Sequence, residues 1–179
     1  MELFAERGYA EVTIAEIADR AGLTKRSFFN HFADKREVLF AGANDFEQSV
    51  LAHLAGAADA AEPIDAAVLA LTSAGLGLAG YAEYARARYE LIASSTELRE
   101  RDLIKMASLA AAIAEGLRRR GAPARTAAFS AQAAVAVFTA AYADWIEGSE
   151  AADLQSLMQR SLADLRDAVG PVDSHISRN

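Results

Sequence analysis

The chain has 179 residues, 18 of them basic and 25 acidic for a net charge of −7, and no cysteine. Disulfides, thiolate metal sites and cysteine nucleophiles are therefore excluded, and the acidic balance disfavours non-specific attraction to nucleic acid or anionic membranes. Alanine supplies 43 residues against 8 valines and 8 isoleucines, a composition that favours helix over strand, so the expected class is a soluble, cytoplasmic, all-α protein without a membrane span or leader.

Helix punctuation divides the chain. A first helix over Met1 to Arg7 stops at Gly8. Thr13-Ile14-Ala15-Glu16 is a capping-box pattern, in which the Thr hydroxyl and the Glu carboxylate each satisfy the other residue's N–H. The second helix it opens buries Ile14, Ile17, Ala18 and Ala21 and ends at Gly22. Thr24 caps a third helix, with Leu23 and Phe28 at the spacing of a hydrophobic staple. Asp34 with Glu37 predicts another capping box and a long fourth helix reaching to about Leu54.

Further on, Pro63 starts a fifth helix that runs to about Leu78, and a sixth covers Tyr81 to Ala93. Thr96 is the expected cap of a seventh, which ends in Arg118-Arg119-Arg120-Gly121. Pro123 starts an eighth, to about Glu147, and Ser149 is the expected cap of a ninth, to about Val169, before a frayed tail from Gly170 onward. The expectation is about nine helices: a three-helix unit with a helix-turn-helix over residues 1–44, and a larger helical domain over 45–179.

The strongest functional signal is local charge. Between Arg20 and Arg36 five basic residues meet only Asp34 as an acid, with His31 among them. On a third helix capped by Thr24, Phe28 and Phe32 face inward, leaving Lys25, Arg26, Ser27, Asn30 and His31 outward. Arg can read guanine and Asn adenine in the major groove, while Ser and His can hold phosphates. The same pattern is compatible with a solvated face on a small helical sensor or protein-interaction module that does not read DNA.

Two other signals are discounted. Gly75-Leu76-Gly77-Leu78-Ala79-Gly80 spells a dinucleotide-binding fingerprint but follows a helical stretch where that motif needs a strand, so it reads as a helix end with close-packing glycines. The three histidines His31, His53 and His175 have no partners at ligand or triad spacing, and Glu83 and Glu90 read as solvated helix charges. Neither an enzyme nor a cofactor is expected.

The run Leu3-Phe4-Ala5-Glu6-Arg7-Gly8-Tyr9, followed by Thr13 through Lys35 without a gap, closely resembles the N-terminal domain of TetR-family transcriptional regulators. The resemblance implies a ligand-responsive regulator, a repressor that binds a near-palindromic double-stranded operator as a dimer and is released by a small molecule. It places Thr13 and Thr24 at helix caps that touch phosphate, and Lys25, Arg26 and Ser27 at the start of the recognition helix. Asn30 and His31 fall at its exposed middle, and Lys35 where the family binds phosphate. Phe29 departs from the family's common Tyr, which loses a hydroxyl contact. The family's first helix usually begins a dozen or so residues earlier, so the first helix here is short beside the family's.

For the effector pocket the resemblance points to Phe46, His53, Tyr84, Arg88, Tyr89, Met106, Phe138 and Tyr142, with Tyr81 and Phe129 as further candidates. A weaker resemblance over Arg86 to Ile92 and Thr96 to Arg101 is to a subgroup of acyl-CoA-responsive regulators of the mycofactocin type, and implies an acyl-CoA-like effector. The homodimer is expected to form through the eighth and ninth helices, with Ala127, Ala128, Ala131, Ala134 and Ala141 on one and Leu154, Leu157, Met158, Leu162 and Leu165 on the other.

Overall fold

The computed structural model describes residues 2–58, 61–148 and 153–170. Among them are nine α-helices and two 3₁₀ segments, with no strand. The first three helices are short: α1 (Glu2–Arg7), α2 (Ile14–Arg20) and α3 (Lys25–His31). Both predicted caps close. The Thr13 hydroxyl accepts from the Glu16 N–H at 3.3 Å while the Glu16 carboxylate accepts from the Thr13 N–H at 2.8 Å, and the Thr24 hydroxyl accepts from the Ser27 N–H at 3.1 Å. Gly22 supplies the turn between α2 and α3 with a φ of +67°, which lets the Leu23 N–H reach back to the Ala18 carbonyl at 2.8 Å. Phe28 is buried as the staple spacing requires, but Leu23 stays 42% exposed.

The fourth helix departs from expectation. Asp34 does accept from the Arg36 and Glu37 N–H groups, at 2.8 and 3.3 Å, yet it opens only a 3₁₀ turn over Arg36–Val38. Helix α4 begins later, at Ala43, and runs to Ala55 with Gly42 before it. The reciprocal half of the capping box is missing because the Glu37 carboxylate is drawn away to Arg101 and Lys105, at 2.6 and 3.3 Å. Gly42 adds a poor helix former at the point where continuation was predicted.

The larger domain continues with α5 (Pro63–Gly75), a 3₁₀ segment over Leu76–Tyr81, α6 (Ala82–Ala93), α7 (Thr96–Arg119), α8 (Ala124–Glu147) and α9 (Leu154–Val169). Helix α5 stops at Gly75, short of Leu78, and a Cβ at this glycine would lie 2.8 Å from Leu154 Cδ2 of α9. The glycine run is thus a helix end and a close approach. Ser95, one residue before the predicted Thr96, caps α7 by accepting from the Leu98 N–H. Asp153 caps α9, and Ser149 and the tail from 171 onward lie outside the described residues.

Helix α8 lies at the centre, packed on α5, α7 and α9, while α4 bridges α5 and α7. It is long and apolar enough to cross a membrane by length and composition alone. Its alanine stripe is used inside the chain, however: Ala127, Ala131, Ala134 and Ala141 are all fully buried, as are Leu154, Leu157 and Met158 of α9. These residues hold the chain's own core, which corrects their expected place at a subunit contact; Ala128 alone of the five alanines is exposed. A second, smaller core gathers Phe4, Tyr9, Val12, Leu39 and Phe40, and is sealed by Ile92 of α6 and Leu98 of α7. The N-terminal unit therefore completes its interior with side chains borrowed from the larger domain.

Candidate DNA-reading face and ligand cavity

Helix α3 carries one buried and one exposed surface. Phe28 is 1% exposed and packs against Phe32 at 5.3 Å between ring centroids. Phe29 stands edge-on to Phe28 and is 49% exposed, in company with Thr24, Lys25, Arg26, Asn30 and His31. Ser27 lies beside them, its hydroxyl 3.0 Å from that of Thr24. Thr13 is exposed at the start of α2, so all eight predicted residues are exposed or partly exposed, one at the start of α2 and the others at the cap and along α3.

The cations of this region are not equivalent. Arg20 pairs with Glu2 and Glu6, at 3.2 and 3.5 Å, and Arg36 pairs with Asp34 and with Glu97. Lys35 is turned inward: its ammonium donates to the carbonyls of Tyr9 at 2.6 Å, Val12 at 2.8 Å and Ala10 at 3.4 Å, and lies 4.2 Å over the Tyr9 ring. Its three N–H groups are spent on the loop before α2, so the geometry places it as a loop fastener and not on the exposed face. Among the described residues, Lys25 and Arg26 make no ion pair, and the usable positive charge is concentrated on them.

Glu16 completes the support of α2. Its carboxyl is held at about 2, first by the Thr13 hydroxyl, then by the Thr13 N–H and Arg7. Tyr9, buried under the same loop, has its phenol pushed up to about 12 by burial.

The second feature is a partly open cavity of about 930 Å³ lined by α4, α6, α7, α8, the segment just before α4 and the 3₁₀ segment before α6. Of the predicted pocket residues, Phe46, Tyr84, Arg88, Tyr89, Met106, Phe138 and Tyr142 all line it, and so does Tyr81. The aromatic wall is continuous: Phe46 to Phe138 at 5.4 Å, Phe138 to Tyr142 at 5.7 Å, and Tyr142 to Tyr89 at 6.4 Å. Burial pushes the Tyr142 phenol up. His53 is a correction. It lies near the C-terminal end of α4, exposed and outside the cavity lining, because it shares a face with Phe46 but sits two turns, about 10 Å, further along the helix. Phe129 is 63% exposed on α8, with Arg125 over its ring, and is likewise not in the lining.

Of the polar end of this cavity, sequence reasoning named Arg88 and missed Lys105 and the partners of these cations. Arg88 donates to the Leu39 carbonyl at 2.8 Å, reaches Asp102 at 3.4 Å and stacks over Phe40 at 4.9 Å. Arg101 and Lys105, one turn apart on α7, hold Glu37. The i, i+4 spacing of those two cations was visible in the sequence; their partner, more than sixty positions away, was not. Arg86 points elsewhere, to the carbonyls of Ile146 and Gly148 at the end of α8.

Comparison with known families follows this division. Residues 1–41 match the family model described as bacterial regulatory proteins, tetR family, and residues 58–170 match the model described as the MftR C-terminal domain. The chain belongs to the TetR family. Among curated TetR-type relatives, the HTH-type transcriptional regulator TcmR of Streptomyces glaucescens is 37% identical over 54 residues, a stretch covering 30% of this chain and 24% of that protein. The matched stretch thus spans about a quarter of the curated relative's length. Among solved structures, the TetR family transcriptional regulator PfmR from Thermus thermophilus aligns over 92% of both chains at 22% identity and a TM-score of 0.47. As a member of the TetR family, the chain carries its helix-turn-helix in the first matched segment and most of its cavity lining in the second.

Proposed function

We propose that this TetR-family chain is a ligand-responsive repressor that reads a near-palindromic DNA operator as a homodimer and releases it when a small molecule enters the cavity. The observation that carries the reading is the sharing of side chains: the unit that presents Lys25, Arg26 and Asn30 has its core closed by Ile92 and Leu98, from helices that also wall the cavity. A change in cavity shape is thereby carried into the packing of the unit that bears the reading helix. Functionally the chain divides between residues 44 and 45.

The DNA face comprises Thr13, Thr24, Lys25, Arg26, Ser27, Phe29, Asn30 and His31, with Arg26 and Asn30 suited to base edges and the hydroxyls to phosphates. Two copies are needed to read two half-sites. Helices α8 and α9 would pair across the two-fold axis through their outward faces, where Ala128, Gln132, Ala136 and Ala140 form an exposed stripe of mostly small residues on α8. Operator and effector then weaken each other by the same factor.

The test is selection of binding sites from a random duplex pool, with a Lys25→Ala, Arg26→Ala double variant in parallel. A near-palindrome should emerge whose affinity falls steeply with salt. The double variant should bind it at least about a hundredfold more weakly, as expected for the loss of a base contact and a phosphate contact. Recovery of no site, or a site bound equally by the variant, overturns the assigned face.

A further inference from the structure

We propose that the end of the cavity nearest the reading domain is an acid-binding site, and that Glu37 occupies it as an internal stand-in for the acidic head of an amphipathic ligand. The inference rests on the cavity being the effector site and goes on to name the ligand class and how it acts.

Three observations support it. First, the lining carries four basic side chains (Arg88, Arg99, Arg101 and Lys105) against two acids (Glu47 and Asp102), in a chain whose net charge is −7. The remaining lining is largely aromatic and aliphatic, so the space suits a molecule with an apolar body and one anionic end. Second, the carboxylate that satisfies Arg101 and Lys105 comes from outside the cavity domain, from the 3₁₀ turn that follows the reading helix. All three side chains are well covered, at 30%, 19% and 19% exposed for Arg101, Lys105 and Glu37, so the pairing is made in a partly dried setting where charge-assisted bonds are strong. Third, Arg88 adds a second tie from the same lining to the same segment through the Leu39 carbonyl.

A carboxylate or phosphate entering at this end competes with Glu37 for the same donors. Once displaced, Glu37 is a poorly solvated carboxylate without its cations, and the cost of leaving it so is relieved by moving the 3₁₀ turn, and the reading helix before it, into water. Two arrangements of one segment, biased by which acid holds Arg101 and Lys105, constitute a switch in which the ligand has a different affinity for each state.

Trp145, the single tryptophan, lies 5.7 Å from cavity-lining Tyr142 and reports occupancy by its fluorescence. The intact protein is titrated with decanoate, decyl phosphate and decanol below their micellar concentrations. Both acids should bind at least about tenfold tighter than the alcohol, and Glu37→Gln should tighten the acids by about five- to tenfold while leaving decanol unchanged. Arg101→Gln with Lys105→Gln should erase the preference, with circular dichroism confirming that each variant is folded. The ratio of decanoate to decyl phosphate affinity identifies the head group. Equal binding of all three probes, or acid affinity indifferent to Glu37→Gln, overturns the acid site and leaves the cavity reading standing. No response to any probe overturns both.

Discussion

The helices of the reading unit are 6 or 7 residues long, and those behind the cavity run from 12 to 24. Helices of two turns cannot hold themselves together in water, and the reading unit is fastened by nameable contacts: the Thr13–Glu16 box, the Thr24 cap, the Lys35 ammonium on three carbonyls. The long helices need few such fasteners. They are held by close approach of alanine and glycine surfaces, with Gly75 against Leu154 and Gly116 against Leu54. The lesson is that one half is specified by polar chemistry at particular atoms and the other by the smallness of its residues.

Three measurements break or sharpen that contrast. Phe28→Ala should have the largest effect, a loss of about 3–5 kcal/mol, because a fully buried aromatic is removed from a unit with few large side chains to spare. Chemical denaturation followed by circular dichroism should show the small helical fraction lost early and the main transition little moved; a single transition shifted as a whole would show the two halves to be one cooperative unit. Gly116→Ala comes next. A Cβ there would sit 2.7 Å from Leu54 Cδ2, and Leu54 is 1% exposed with little room to give. Overpacking costs about 1–3 kcal/mol and exceeds the gain of up to about 1 kcal/mol from better helix propensity, for a net loss of about 1–2 kcal/mol in the main transition. A more stable variant would contradict the close-packing account.

The smallest effect is in pH. The Glu16 carboxyl lies at about 2 in the folded protein against 4.5 ordinarily, so its contribution is complete above pH 4.5 and is lost as pH falls toward 2. The melting-temperature gap between wild type and Glu16→Gln should therefore be widest above that ordinary value and close on acidification. A gap independent of pH would mean that the ionised carboxylate is not what secures α2.

Legibility in the sequence follows the same contrast. The Thr13 and Thr24 caps and the Gly22 turn were readable because each joins residues within about five positions of one another. The aromatic lining was readable because Phe138 and Tyr142 keep helical spacing, and the resemblance indicated which helices enclose the space. Long-range electrostatics was not readable. Glu37 has the spacing of a capping box with Asp34, and the arrival of Arg101 and Lys105 from α7, which draws its carboxylate away, could not be read from that spacing. Lys35 resembles a phosphate ligand until the Tyr9 and Val12 carbonyls are placed around it. The alanines of α8 have the look of a subunit contact, and nothing in their spacing states which side of the helix the rest of the chain covers.

Helix α4 is anchored unevenly. At its far end Leu54 is seated on Gly116, and the Arg120 guanidinium donates to the carbonyls of Leu54, Ala57 and Ala58, at 3.2, 3.0 and 2.7 Å. At its near end Ala43 and Phe46 border the cavity and no side chain caps the first turn. A rod fixed at one end and bordered by empty space at the other is a lever. Its 13 residues span about 20 Å, so a tilt of about 10° at the fixed end carries Ala43, and the reading unit joined to it, through about 3–4 Å. That is comparable to the rise between neighbouring base pairs, so under the proposed function a small rotation at the pivot would be enough to take the reading helix out of register with its DNA site.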